Sequence, residues 1–242
     1  MKTLLTMNSV VLGGSGFLGS TILSSIQGDS AGRSEDNDVY VDILKPRTLK
    51  KLDSYDVVIN CVGLSPLRKP SVPYKQVHVN GVENIVSALK NQRLIHISAA
   101  GVHQHTQSEY LKTKLAGENI AKTYENSCII RPGVIVGEGS EIFRALELTR
   151  WFRIFPKIKT QIKTVPVQNV VSLVEQEMEK QTQTLVTAAT NTTTVTALVE
   201  NEVGRILKIP EVIWRPFFDL AVHWELAGLT QEQAILLREG MN

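Results

Sequence analysis

The chain has 242 residues, 43% hydrophobic and 21% charged, enough to bury one sizeable α/β core with a small appended lobe. Its 26 basic and 24 acidic residues leave a formal charge of +2, without the basic excess by which nucleic-acid binders are recognised. Cys61 and Cys128 lie inside apolar runs and read as small buried hydrophobes rather than a disulfide. No apolar run reaches membrane-spanning length, and only about nine residues precede the first strand, so the expectation is an intracellular chain without a cleavable signal.

Along the chain, short β-rich runs alternate with helical patterns. Val10 to Leu12 predicts a strand, Phe17 to Ile26 a helix, Val39 to Ile43 a strand and Asp56 to Val62 a stronger one. Tyr74 to Leu89 then predicts a helix, Leu94 to Ser98 a strand, Glu109 to Tyr124 a helix and Cys128 to Val136 a strand. Such alternation predicts an α/β fold, a doubly wound parallel sheet with helices on both faces. From Phe143 onward a smaller carboxyl-terminal lobe is expected, dividing the chain into 1–142 and 143–242. Gln181 to Thr196, rich in Thr, Gln and Asn, predicts a strand and a turn around its Thr-Leu-Val core.

Chemistry enters with Gly13-Gly14-Ser15-Gly16-Phe17-Leu18-Gly19, set between a predicted strand and helix. Glycines at 13, 16 and 19 permit a tight turn and close approach of backbone to a pyrophosphate, which a helix amino terminus favours electrostatically. The pattern in that context predicts dinucleotide binding. A second pattern, Tyr110 and Lys114, places a phenol and an ammonium on one helix face a turn apart. A nearby ammonium lowers a phenol pKa, which would make Tyr110 a general acid or base.

With these motifs on either side of Ile95-His96-Ile97-Ser98, the chain resembles the short-chain dehydrogenases/reductases of extended, epimerase/dehydratase-like or atypical type. The residues that carry the likeness are the three glycines, Asp56 through Gly63, Val79-Asn80-Gly81, Tyr110 with Lys114, and Arg131-Pro132-Gly133. His96 through Gly101, Glu109 through Glu118 and Leu229 through Leu237 are similar to the branch that holds the NADPH-binding accessory subunit of respiratory complex I and its prokaryotic relatives.

The resemblance implies a pyrophosphate turn of Gly13, Ser15, Gly16, Phe17, Leu18 and Gly19, with Cys61, Val62 and Gly63 beside the adenosine half. Asn80 belongs to the same cofactor set. Lys114 would hold the nicotinamide ribose, Pro132, Gly133 and Val134 would line the nicotinamide, and Tyr110, Lys114 and Ser98 are the catalytic candidates. The active-site serine of extended enzymes falls further into the turn, at a position that looks like Ala99 here, so Ser98 either contacts cofactor or caps a strand.

The stretch between the first helix and the Asp56 strand is about one strand-helix unit short, which opens two readings of cofactor choice. If Val39 to Val41 is the second strand, Asp42 accepts hydrogen bonds from the adenosine ribose and selects NAD(H). If it is the third, Asp42-Ile43 contacts adenine, and Arg33, at the end of a degenerate second strand, meets the 2′-phosphate of NADP(H). The Arg33-Ser34 pair tilts the expectation to NADP(H).

The five histidines lack metal-ligand spacing, and no metal is expected. Arg144 to Lys163 interleaves basic and aromatic residues, read either as a core-packing helix with snorkelling charges or as a membrane- or partner-binding face. Val212 to Leu226, carrying Trp214 to Trp224, is apolar round most of a helix and is expected to be buried against its own domain or a partner. Two functions follow: an oxidoreductase moving hydride to or from a carbonyl or alcohol carbon of an unknown small molecule, or a non-catalytic nucleotide-binding subunit of a respiratory membrane complex. The second places the chain peripheral to that membrane, on a cytoplasmic or matrix-like side.

Overall fold

The computed structural model describes residues 7–224 and 229–240. Its elements run β1 (Ser9–Leu12), α1 (Phe17–Leu23), β2 (Asp29–Gly32), β3 (Val39–Tyr40), a 3-10 helix over Pro46–Ser54, β4 (Val57–Asn60), a π-helical turn over Gln76–Asn80 and α2 (Gly81–Ala88). There follow β5 (Arg93–Ile97), α3 (Glu109–Ala121), β6 (Ser127–Pro132), β7 (Val134–Val136), α4 (Glu141–Ala145), α5 (Glu147–Phe152), β8 (Ile154–Pro156) and β9 (Gln161–Pro166). The chain continues through α6 (Val167–Met178), β10 (Thr184–Ala188), β11 (Asn191–Thr194), α7 (Val195–Val203), β12 (Leu207–Ile209), α8 (Glu211–His223) and α9 (Gln231–Glu239).

Seven strands form one parallel sheet in the order β10-β6-β5-β4-β1-β2-β3. Its central strands are apolar on both faces, as burial by helices on both sides demands. Val10, Leu12, Val58, Leu94 and Ile129 pack on one face with Ile85 of α2 and with Leu49 and Leu52 of the 3-10 helix. Val11, Ile59, Ile95 and Ile130 pack on the other with Ile22 of α1 and Val170 and Val174 of α6. The strand period of two sorts them. Each fully buried side chain contributes roughly 1.5–3 kcal/mol relative to exposure, which is how two leucines pin the otherwise polar segment Pro46–Ser54.

The short stretch before β4 has lost a helix, not a strand-helix unit. Both β2 and β3 are present and pair in parallel, joined by six residues where such pairs ordinarily need a crossover of a dozen or more. Asp38 makes the tight connection possible. Its Oδ2 accepts from Ser30 N at 2.9 Å and Ser30 Oγ at 2.7 Å, and its own N–H donates back to Ser30 Oγ at 2.9 Å.

The run from Cys128 to Val136 is two strands rather than one. At Gly133 the chain passes so close to β9 that a Cβ would stand 2.5 Å from the Lys163 carbonyl oxygen, and β7 leaves the large sheet to pair with β9, which pairs with β11. Two elements beyond residue 142 return to the large sheet. α6 covers one face and β10 pairs with β6, both tied to β5 through buried Arg93, which donates to the carbonyls of Glu177 at 3.1 Å and Thr182 at 2.8 Å and to Glu177 Oε2 at 3.3 Å. Deleting one partner of such a buried pair costs about 3–5 kcal/mol.

Arg144 to Lys163 does not form a core-packing helix: α4, α5 and β8 divide it, and Trp151 and Phe152 are exposed. α8 forms as expected and runs through Pro216, but much of its apolar surface faces solvent; Glu225 and Leu226 lie outside the described residues. Among the described residues, no helix is long and apolar enough to cross a membrane.

Candidate functional site

β1 runs out at Leu12, and Gly13 turns the chain at φ +79°, a left-handed backbone that glycine adopts without a Cβ penalty. Its N–H donates to the Ala31 carbonyl at 2.7 Å, and its carbonyl accepts from Gly16 N at 3.0 Å. A Cβ on Gly19 would stand 2.3 Å from that carbonyl oxygen, so α1 lies hard against the turn. At Gly16 a Cβ would meet only the same oxygen, at 3.2 Å. No side chain caps α1, which leaves its first N–H groups and positive dipole end to a ligand. A pyrophosphate fits this cradle. Ser15 is exposed, Phe17 and Leu18 are half-buried, and the Phe17 ring lies beside Gly137.

The turn abuts the end of β4. A Cβ on Gly13 would come within 3.3 Å of Val62 N, and Cys61 N donates to the Leu12 carbonyl at 3.0 Å, so Cys61, Val62 and Gly63 wall one side. At the sheet edge Val39–Tyr40 is the third strand. Asp42 therefore does not end the second strand, and the reading that made it the NAD-selecting acid is corrected. Its Oδ1 accepts from Leu44 N at 3.0 Å, and Ile43 is buried against Gly81. The exposed residue directly beyond β2 is Arg33.

The cleft floor is polar and buried. Asn60 Oδ1 accepts from Val62 N at 3.1 Å, while its Nδ2 lies 3.1 Å from His96 Nδ1. His78 Nε2 accepts from Leu64 N at 2.9 Å, which puts the ring proton on Nδ1, 3.0 Å from Thr113 Oγ1. Lys114 is buried and donates to the Ile97 carbonyl at 3.1 Å, with Nζ close enough to Gly63 that a Cβ there would be 3.0 Å away. Burial lowers the Lys114 pKa to about 8. One turn earlier, the Tyr110 ring makes edge contacts with His78 at 5.6 Å and Tyr74 at 5.8 Å.

One expectation changes here. The Tyr110 phenol is not made more acidic: burial pushes its pKa up, and Tyr74, Glu141 and Glu232 add to the rise. Ser98, a catalytic candidate by resemblance, spends its hydroxyl proton on buried Glu118, donating to Oε2 at 3.0 Å. Burial raises the Glu118 carboxyl, but paired bonds from Arg131 at 2.6 and 2.8 Å, with Lys122 and Ser98, outweigh it and hold the group below its ordinary range. Asn80 is exposed on the outer side of the π turn, and His78, two residues earlier, is the one turned inward. Pro132, Gly133 and Val134 mark where β6 hands over to β7.

The residues that sequence reasoning missed come from α9. Glu232 accepts from Ser108 Oγ, from Glu109 N at 3.1 Å and from Tyr110 N at 3.3 Å. Glu239 accepts from Thr106 Oγ1 at 2.6 Å and Gln107 N at 2.7 Å. The two carboxylates clasp the segment that starts α3, where anionic groups meet the positive helix end. Leu229 through Leu237 drew notice only as a resemblance, and nothing in its pattern marks these two acids.

Burial also predicts the response to acid. The His78 pKa falls to about 2, by burial first and the Lys114 charge next, and that of His96 to about 3 for the same reasons. Both are neutral when folded and charge near 6.5 when unfolded, so their stabilisation is whole above pH 6.5 and is lost as pH falls toward the folded values. At about 1.4 kcal/mol per pH unit for each histidine, calorimetry should show the melting temperature dropping steeply between pH 6.5 and 5. His78→Gln should flatten that slope; an unchanged slope in both His78→Gln and His96→Gln would refute the assignment.

Residues 9–158 match the model of the NAD dependent epimerase/dehydratase family. Over 86 residues the chain is 29% identical to the mitochondrial NADH-ubiquinone oxidoreductase 40 kDa subunit of Neurospora crassa, covering 34% of this chain and 23% of that one. The match therefore spans about a quarter of that relative's length. The fold is similar to dTDP-4-dehydrorhamnose reductase of Bacillus anthracis, solved in complex with NADP, with TM-score 0.68 and 14% identity over 84% of this chain and 83% of that one. It is also similar to UDP-glucuronic acid 4-epimerase of Bacillus cereus, solved with UDP-glucuronic acid and NAD, with TM-score 0.66 and 18% identity over 84% and 86%.

Proposed function

From the chain's membership of the NAD dependent epimerase/dehydratase family, we propose that it is an NAD(P)-dependent reductase in which Tyr110 delivers the proton to a carbonyl oxygen. The observation that carries this direction is the placement of Tyr110, half-buried with its ring edge against His78 and Tyr74 one helical turn from buried Lys114, its phenol kept protonated. The bound dinucleotide supplies or accepts a hydride at nicotinamide C4. Gly13, Gly16 and Gly19 seat its pyrophosphate, and Cys61 to Gly63 wall the adenosine side. Lys114 holds the ribose hydroxyls from below Gly63, fixed by its bond to Ile97. Tyr110 gives up its proton as negative charge builds on the carbonyl oxygen, and Glu232 and Glu239 keep its helix start in place. Purified protein with reduced nucleotide and a panel of aldehydes, ketones and nucleotide-linked keto sugars tests the proposal; oxidation of the nicotinamide with none of them would defeat it.

Arg33, exposed directly beyond β2, favours NADP(H). Arg33→Ala should weaken NADPH binding by about tenfold or more while leaving NADH nearly unchanged, because a guanidinium grips only the 2′-phosphate in paired fashion. Equal losses in calorimetry would remove Arg33 from the site.

A second reading, a nucleotide-stabilised accessory subunit on the matrix or cytoplasmic side of a membrane complex, is favoured by the commitment of Ser98 to Glu118. On this reading nucleotide at a hundred times its Kd still stabilises the fold by about 2.7 kcal/mol, and Tyr110→Phe changes nothing.

A further inference from the structure

Outside the nucleotide cleft, the second lobe displays large apolar side chains where charge would be expected. Trp151 is 85% exposed and Phe152 69%. Arg153, in a left-handed conformation at φ 54°, turns the chain from α5 into β8. Its side chain donates to the Val203 carbonyl and its own carbonyl accepts from Leu207 N at 2.7 Å. That brings β12 alongside, Leu207 opposite Ile154, and Leu207 is itself 66% exposed. The register sets Leu207 beside Ile154, and Trp151 and Phe152, exposed at the end of α5, precede Ile154 in the chain by three and two residues, an apolar patch strung along that turn. After Pro210, α8 adds a stripe at helical spacing, Ile213, Phe217, Leu220 and Trp224, with Phe217 72% and Trp224 66% exposed.

Along the segment that carries Trp151 and Phe152, cations outnumber acids. Residues 141–163 carry six cations, Arg144, Arg150, Arg153, Lys157, Lys159 and Lys163, against Glu141 and Glu147. The whole chain is only +2, so the remainder is net negative. Beyond that segment the charges are paired: Lys208, next to Leu207, lies 2.7 Å from Glu200, and Arg215 on α8 sits between Glu211 and Asp219. Indole and phenyl rings projecting beside arginine and lysine suit the boundary between lipid headgroups and acyl chains, where rings bury and cations meet phosphate.

We propose that this face docks on an anionic phospholipid bilayer, with Trp151 and Phe152 inserted at the headgroup boundary and the surrounding cations on lipid phosphates. The attachment is peripheral and reversible, resting on two modest contributions, ring burial and charge.

Cosedimentation of the full chain with vesicles of phosphatidylcholine alone or mixed with phosphatidylglycerol tests it. Binding should require the anionic lipid, weaken with added salt, and fall about tenfold or more in the Trp151→Ser/Phe152→Ser protein. Arg150→Glu/Lys157→Glu should reduce binding to the anionic vesicles by about tenfold or more. All four side chains are exposed, and an unchanged nucleotide-dependent melting temperature verifies that each variant is folded. Absence of binding, equal binding to both vesicles, or full binding by the folded Trp151→Ser/Phe152→Ser variant would overturn the proposal. So would a concentration-dependent dimer in sedimentation velocity that this variant abolishes, since the patch would then belong to a second copy of the chain.

Discussion

Gly16→Val is expected to abolish dinucleotide binding while the nucleotide-free protein stays folded. A valine Cβ there meets only the Gly13 oxygen, at 3.2 Å, so the turn tolerates it with a small adjustment. The two methyl groups, however, occupy the space the pyrophosphate needs. Calorimetry should show at least a hundredfold loss of affinity, about 2.8 kcal/mol. Gly19→Val should behave differently, because its Cβ would fall 2.3 Å from backbone that cannot withdraw; it should lower the melting temperature without any nucleotide present. Unchanged affinity in Gly16→Val would remove the cofactor assignment altogether.

Tyr110→Phe carries the other large effect. The substitution removes the exchangeable proton and keeps the ring against Tyr74 and His78, so turnover should fall by about 10²- to 10⁴-fold, the range for a general acid, with nucleotide affinity nearly unchanged. The pH dependence separates the two cleft residues. Because the phenol is held protonated above its ordinary value, proton delivery should not decline through neutral pH. Lys114 is charged below about 8, so its hold on the ribose should weaken as pH rises past that value, raising KM while kcat persists. A kcat that falls through pH 8 in wild type but not in Lys114→Arg would assign the proton donor's control to Lys114 instead.

The sheet was legible because its central strands are apolar on both faces and its helices carry the other period; Val10 to Leu12 falls inside β1, and the helix expected over Glu109 to Tyr124 starts where α3 starts and overruns its end at Ala121. The tight turn of Gly13, Gly16 and Gly19 was legible because a chain passing so sharply from strand to helix needs glycine at fixed short spacing, and the juxtaposition of Tyr110 with Lys114 because a helix sets their separation. What depends on distant partners was not. The rise of the Tyr110 pKa comes first from burial, with Tyr74, Glu141 and Glu232 adding to it, and these partners lie up to 122 positions away. The inward turn of His78 comes from a π-helical distortion at its crossing with Gly117, where a Cβ would lie 1.9 Å from the His78 oxygen. The loss of the β2–β3 crossover helix showed only as missing length, and the Ser30–Asp38 bonds that replace it look like ordinary loop chemistry. The exposure of Trp151 and Phe152 could not be read from apolarity, since hydropathy says what a side chain prefers and not what it obtains.

The clasp of Glu232 and Glu239 also orders events during synthesis. A chain emerging from the ribosome can assemble β1 through β6 and begin α3 from contacts already made, but the first turn of α3 is capped by residues translated 122 to 133 positions later. Until α9 emerges, Ser108 and the N–H groups of Gln107, Glu109 and Tyr110 are without their carboxylate partners. The glycine turn can therefore mature before the start of the Tyr110 helix, which waits for α9.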